Sequence, residues 1–455
     1  MSITETAAPA ATDRAPLSLQ QEFLCLFDKG NEVGPYGPRY HHVEAWRIRG
    51  RVDIDTLRAA LHDVVVRHEA LRTTVVRGTE DRYQVIQAAT SPRLEVRELT
   101  GVDPDARELV FQDLLNELEA DTFGSDESPL LRALLGRFDD DDAVLILDGH
   151  HAAVDSWSMQ VVVRDLAAAY AARKGYPGHD LPEARQYREF VDEQLAGIGN
   201  ERVQKAREYW RNKLSGARIT TVTTDLPKSS GEWADTSWYR FVTDAELRAK
   251  TEELAVATRS SQFMILLGAF TVLLHKMTGE NDIVVPTFMP GREKARFQDT
   301  VGSFFNFIPL RTDLSGAETF RDVIGRVRET CMEAYSRELP LLHLLQEAPE
   351  LMATAMEDDR APVVFQVVQP PLVLEAELVG DLEYTAIWRR ELSQDVGCYV
   401  PDGMLWCLHL GPTEDILANL AFTKGLFRDS RMSEMAAEFF EVLRQVVTEP
   451  DAPLR

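Results

Sequence analysis

In the stretch "LDGHHAAVDSWSM", Leu147 to Met159, His150 and His151 stand side by side and Asp155 follows. A neutral imidazole near pH 7 can take a proton from an attacking amine or hydroxyl. An aspartate close by can hold the backbone turn or a distant arginine rather than the imidazole itself. Other readings use the same letters. A His and an Asp four apart can be a surface pair on a helix. A metal site is not expected, because neighbouring histidines on a strand point to opposite faces and rarely share one ion. The same alternation lets one His face inward as scaffold while the other faces a cavity. The spacing alone leaves these readings open. "HDVVVRHE", His62 to Glu69, carries similar letters inside an amphipathic helical pattern and reads as structure.

The elements around the pair place it. "AVLIL", Ala143 to Leu147, is a short apolar run bounded by Asp and Gly, the pattern of a buried strand ending in a tight turn. "SMQVVVRDLAAAYAARKG" follows as a helix stopped by Gly175. The histidines therefore sit on a strand-to-helix connection, where scaffolds often present chemistry. Upstream, Ser18 caps a helix to Asp28, "YHHVEAWRIRG" is a strand, and Ile54 to Val65 show a helical apolar face. "DRYQVIQ" and "RLEVREL" read as strands, and Val110 to Leu118 as a short helix. Downstream, "EFVDEQLAG" and "RVQKAREYWRNKLSG" are helical. "SSQFMILLGAFTVLLHKMTG" is a mostly buried helix with Ser260 or Ser261 as cap and Gly279 as stop. "DIVVPTF", "VGSFFNFIPLRTDL", "APVVFQVVQ" and "MLWCLHL" are extended, and "MSEMAAEFFEVLRQVV" is a closing helix.

A chain of 455 residues exceeds one ordinary core. The pattern predicts a disordered tail over 1–16, a first lobe over 17–185 and a second over 186–455. Lys plus Arg total 49 against 74 Asp plus Glu, a net charge of −25, which argues against nucleic acid as the main partner. No apolar run reaches the ~18 residues of a membrane span. The N-terminus lacks the features of a signal peptide. Cys25, Cys331, Cys398 and Cys407 form no CxxC pair and read as free thiols in a reducing cytoplasm.

Several stretches in one order carry a resemblance. "HHAAVDSWS" resembles the HHxxxDGxS signature of nonribosomal peptide synthetase condensation domains. "SLQQEFL" is similar to their first motif and "RHEALRTTV", Arg67 to Val75, to RHExLRTxF. "QYREF" is similar to the fourth motif. "PGREKARFQDTVGSFFNFIPLR", Pro290 to Arg311, resembles the Gly-Arg turn followed by IGxFVNxxPLR. "APVVFQVVQ" and "FTKGLF" resemble later stretches. The resemblance implies an α/β fold: two chloramphenicol-acetyltransferase-like lobes, each a two-layer sandwich, in a V-shaped pseudo-dimer with a tunnel between them. Without an adenylation or carrier segment, the chain resembles free-standing members, such as those of enediyne antibiotic pathways. They join a carrier-bound (amino)acyl thioester to an amine or alcohol.

Carried over residue by residue, the resemblance implies that His151 is the catalytic position, acting as base or positioning group. His150, Asp155 and Ser156 complete the motif, with His150 structural. Asp155 pairs with Arg292, and Asn306 stabilises either a loop or the oxyanion. Phe304 and Phe305 pack the tunnel wall. Ser156 replaces the family glycine, leaving three consequences open: altered acceptor choice, an added hydroxyl, or lower activity. "RELPLLHLL" departs from the family's HQDxPFE. No DFGWG is present, unlike plant-type CoA-dependent acyltransferases, and the pair is His-His rather than the His-Arg of recruitment-only relatives. The implied partners are a peptidyl carrier protein bearing the donor on phosphopantetheine and a small-molecule or carrier-bound acceptor. No cofactor, metal, nucleic acid or membrane is expected. Two alternatives stay in view: a noncatalytic carrier-docking or recruitment module, and a CoA-dependent acyltransferase. Arg202 to Lys213 is a candidate basic patch for an acidic carrier, against the plainer reading of a solvated helix face.

Overall fold

All nine residues of the strand Asp142–His150 are buried. Its two faces meet different cores, which is why the run is continuously apolar instead of alternating. Leu145 and Leu147 pack with Trp46 and Ile48 beneath the helices Ile54–Arg67 and Ser156–Arg173. Val144 and Ile146 pack with Val43, Ala45, Phe111 and Leu115 beneath the helix Arg107–Ala120. This is a computed structural model describing residues 14–454, apart from 79–80, 125–126, 179–180, 231–234, 370–371, 401–402 and 413.

The strand is central in a six-stranded sheet. In spatial order the members are Glu377–Val379, Leu382–Ala386, His41–Arg49, Asp142–His150, Leu131–Arg137 and Arg93–Glu98. The last two are parallel, and the helix Arg107–Ala120 makes their crossover. The register sets His41 opposite His150 and His42 opposite Gly149. A five-stranded sheet forms the other half: Thr221–Thr223, Arg360–Val368, Met404–His409, Leu417–Thr423 and Thr236–Val242. Against it packs the helix Gln262–Thr278, capped by Ser261 and closed by Gly279 at φ +73°. Its Phe270 stacks on Phe365 with ring centroids 4.6 Å apart.

Two sequence expectations need correction. The tail predicted over 1–16 is ordered from Arg14, because Arg14 and Ala15 pair with Val85 and Gln84 and cover an open strand edge. Residues 1–13 lie outside the described residues. The boundary expected at 185/186 does not coincide with the division of the cores. The helix Tyr187–Gly197 buries Tyr187 and Val191 in the first core, and Leu382–Ala386 pairs with His41–Arg49. That exposed edge needed a partner, and the C-terminal half supplies one. Within the extended stretch "VGSFFNFIPLRTDL" the strand is Asn306–Asp313. The residues just before it wrap a buried arginine.

That arginine, Arg292, makes a two-pronged contact with Asp155, with Nη1 donating to Oδ2 at 2.6 Å and Nη2 to Oδ1 at 2.8 Å. Asp155 Oδ1 also accepts from the backbone N–H of Ser158 at 2.8 Å, capping the helix Ser156–Arg173. Asp155 Oδ2 accepts from the N–H of Phe304 at 3.2 Å. Ser158 Oγ donates to the Gly302 carbonyl at 2.8 Å and accepts from Arg292 at 2.8 Å. The Phe304 ring lies 4.1 Å beneath the guanidinium. Gly291 makes the approach feasible: at φ +65° a Cβ would stand 2.0 Å from the Phe304 carbonyl oxygen. Other motif residues extend the seam. Tyr187 Oη donates to the Ser303 carbonyl and meets Ser18 Oγ, both at 2.8 Å. Arg67 and His68 both bond Asp165 of the long helix, at 2.7 and 2.8 Å.

Removing one member of a buried ion pair strands the other. Arg292→Ala is expected to lower stability by about 3–5 kcal/mol in urea unfolding. Adding Asp155→Asn should recover part of that loss, since a neutral amide keeps the cap without a buried charge. A midpoint unmoved by Arg292→Ala would contradict the role of this pair.

Candidate active site

His151 is the first residue past the central strand, and its backbone N–H donates to the Tyr40 carbonyl at 2.8 Å. Its Nδ1 lies 2.6 Å from the Val154 carbonyl oxygen. A carbonyl can only accept, so Nδ1 carries the proton and Nε2 keeps its lone pair. Among the described residues nothing bonds to that Nε2, and it is not sealed from solvent. The ring stacks on Tyr40 with centroids 4.9 Å apart and faces His42 at 5.8 Å and Phe305 at 6.2 Å. His151 is deep in the protein, yet its side chain is partly accessible, so it borders a chamber within the fold. Burial, helped by the nearby His42, holds its pKa down to about 4 against the opposing pull of the Val154 carbonyl. At neutral pH the ring is a free base.

His150 has the opposite circumstances. Its Nδ1 accepts from the Ala152 N–H at 3.2 Å and its Nε2 donates to the Gly37 carbonyl at 3.2 Å. Both nitrogens are spent, and the ring is buried edge-on to Phe123. Burial lowers its pKa to about 4 as well. Asp155 bonds no imidazole; it holds the turn and the arginine. Burial raises its pKa, but Arg292 outweighs that and keeps it below the usual carboxylate range. Asn306 uses its whole amide on the segment after it. Nδ2 donates to Glu338 at 2.9 Å and to the Leu339 carbonyl at 2.8 Å, and Oδ1 accepts from Leu341 N–H at 3.2 Å. Of the two roles left open for Asn306, the geometry matches the loop. Phe304 is fully buried, and Phe305 is half-buried beside His151.

Ser156 opens the long helix with an ordinary backbone, so serine in place of glycine costs no strain. Its Oγ donates to Glu44 Oε1 at 2.7 Å. The same oxygen meets His42 Nε2 at 2.8 Å, and Gln160 bonds Oε2. Tyr40, His42, Glu44 and Gln160 were not singled out from the sequence. The available signal was the two-residue period of "YHHVEAW", which puts His42 and Glu44 on one strand face.

Among the described residues, no group of three or more His, Cys, Asp or Glu is placed to hold a metal ion. No single helix among them is long and apolar enough to cross a membrane. The helix Glu201–Lys213, considered as a basic patch, has all five of its cations committed. Arg202 pairs with Glu293, Lys205 with Glu201, Arg207 and Arg211 with Glu347, and Lys213 with Glu333. Their charge is neutralised in place.

Comparison with known proteins agrees with this arrangement. A linear gramicidin synthase of Brevibacillus parabrevis is 29% identical over 439 residues, 96% of this chain but 8% of that protein. This chain thus spans less than a tenth of the length of that relative. Among solved structures, SgcC5 of Streptomyces globisporus, in complex with (R)-(-)-1-(2-naphthyl)-1,2-ethanediol and sucrose, is 48% identical with a TM-score of 0.94, covering 96% of this chain and 100% of that one. The X-domain from teicoplanin biosynthesis is 26% identical with a TM-score of 0.74, covering 100% and 99%. The Condensation domain family matches residues 12–455, and with the paired histidines, capping aspartate and bridging arginine in one seam, the chain belongs to that family.

Proposed function

We propose that the protein joins an acyl or aminoacyl group, carried as a thioester on the phosphopantetheine of a separate carrier protein, to an alcohol or amine acceptor. The observation that carries the reading is the unprotonated Nε2 of His151 at the edge of an internal chamber. The acceptor N–H or O–H gives its proton to Nε2 as its heteroatom attacks the thioester carbonyl. The tetrahedral intermediate then collapses, the C–S bond breaks, and the departing thiolate takes the proton from His151. The step needs no cofactor. A positioned base typically contributes ~10²–10⁴-fold, and the remainder comes from holding both substrates at reacting distance. The diol held by SgcC5 supports an alcohol among the acceptors, and with it an ester product. The X-domain likeness keeps a recruitment module as the competing reading, since a relative of that kind is solved in complex with OxyB.

The test is intact-mass analysis of a loaded carrier incubated with the enzyme and a panel of alcohols and amines. Acceptor-dependent loss of the acyl group supports acyl transfer. Carrier binding with no turnover for any acceptor supports recruitment, and equal turnover of acyl-CoA without carrier supports the CoA-dependent alternative. His151→Ala is expected to lower the single-turnover rate by ~10²–10⁴-fold, and an unchanged rate would remove His151 from the chemistry.

The pH dependence follows from the same burial. With a pKa near 4, His151 stays neutral until well below the ordinary 6.5. The rate with an alcohol acceptor should hold as pH falls through 6.5 and decline only toward 4. An acid limb centred near 6.5 would show that the ring is solvated like a free histidine. Stability runs with the same sign: the unfolded chain binds this proton below 6.5, so stability falls as pH drops from 6.5 toward 4.

A further inference from the structure

His42 and Glu44 lie outside the signature motif, yet they share the chamber with His151. His42 is held at the edge of the site by the sheet itself, opposite Gly149 in the central strand. Its ring centroid is 5.8 Å from that of His151. It is deep in the protein, but 31% of its side chain is accessible. A residue so enclosed yet accessible faces an internal space, and the 5.8 Å between the rings puts that space beside His151.

The hydrogen bonds determine what His42 offers. Its Nε2 is occupied by Glu44 at 2.8 Å. Among the described residues its Nδ1 has no partner, and it is not sealed from solvent. Glu44 is saturated in turn: Oε1 takes His42 and Ser156, and Oε2 takes Gln160. It is an anchor rather than a ligand group. Ser156 and Gln160 both come from the first turns of the capped helix, so the knot that orients the His151 turn also orients this carboxylate. Burial pulls the His42 pKa down, but the hydrogen bond and charge of Glu44 outweigh it, and the net shift is upward. The two imidazoles are thus driven in opposite directions, His151 toward the free base and His42 toward the protonated form.

We propose that His42, anchored by Glu44, Ser156 and Gln160, determines acceptor specificity by binding a second hydroxyl, on the carbon next to the nucleophilic one, while His151 receives the nucleophile. This rests on the acyl-transfer reading above. A hydroxyl suits the position because it can accept from Nδ1–H when His42 is protonated and donate to Nδ1 when it is neutral. The ring centroids stand 5.8 Å apart, close enough for oxygens on adjacent carbons of one small molecule to reach both rings. Ser156 acquires a role here: its hydroxyl fixes Glu44, which the family glycine at that position could not do.

The test compares 1-phenyl-1,2-ethanediol with 2-phenylethanol, which lacks the second hydroxyl, on the full chain. Dissociation constants come from calorimetry, and kcat and KM from turnover of a loaded carrier. Wild type should bind the diol ~5–10-fold more tightly, the size of one hydrogen bond. His42→Ala and Glu44→Gln should each erase that preference by weakening the diol far more than 2-phenylethanol. Ser156→Gly should reduce it in part. In turnover the loss should fall on KM for the diol more than on kcat. His42→Gln, with a neutral donor of similar reach, should restore part of the preference and guards against a folding defect. The proposal is overturned if wild type binds both probes equally, if it binds neither, or if folded His42→Ala keeps the preference. A preference intact in binding but with no turnover of any loaded carrier would sink the acyl-transfer reading and leave this contact standing.

Discussion

The buried pair of Asp155 and Arg292 is the constraint on which the rest of the site depends. The two residues come from opposite halves of the chain, 137 residues apart. Each is costly to bury alone, so each is tolerable only while the other is in place. Their remaining bonds run to the helix cap at Ser158 and to the backbone at Phe304. One ion pair therefore fixes the entry of the long helix, the turn carrying His151 and the backbone at Phe304 beside it. Such a pair contributes more to holding one arrangement than to net stability.

The turn so fixed sets the chemistry of His151. Its Nδ1 faces the carbonyl of Val154, one residue before the capping aspartate, so backbone geometry selects the tautomer. Burial without a carboxylate partner then keeps the ring neutral. Asp155 shapes the turn and leaves the imidazole alone. His150 and His151 differ because the strand ends between them: the first is locked into scaffold by Gly37 and Ala152, while the second leaves the sheet with one nitrogen open.

The sequence made the local part of this legible. The apolar run at Ala143–Leu147, the helix after it and the caps at Ser18 and Ser261 follow from periodicity and end chemistry, and the structure has them. The partnership of Asp155 with Arg292 came only through the family motifs, because no local rule links residues that far apart. The anchoring of Leu382–Ala386 on the first sheet was hidden for the same reason, and an edge strand does not announce its partner. Tyr40, His42 and Glu44 were read only as parts of a strand. Their significance depends on which face of "YHHVEAW" meets the helix start at Ser156, and that is decided by packing. The glycine lost at position 156 looked like a backbone question, but the backbone there is plain helix and the consequence lies in the added hydroxyl.

The central claim is that His151 presents an unprotonated Nε2 to the chamber at neutral pH. The most direct measurement is the nitrogen NMR spectrum of the imidazoles in the intact protein at pH 7, with His151 assigned by its loss in His151→Ala. The account requires a pyrrole-type Nδ1 and a pyridine-type Nε2 for that ring. A protonated ring, or the reverse tautomer, would contradict it.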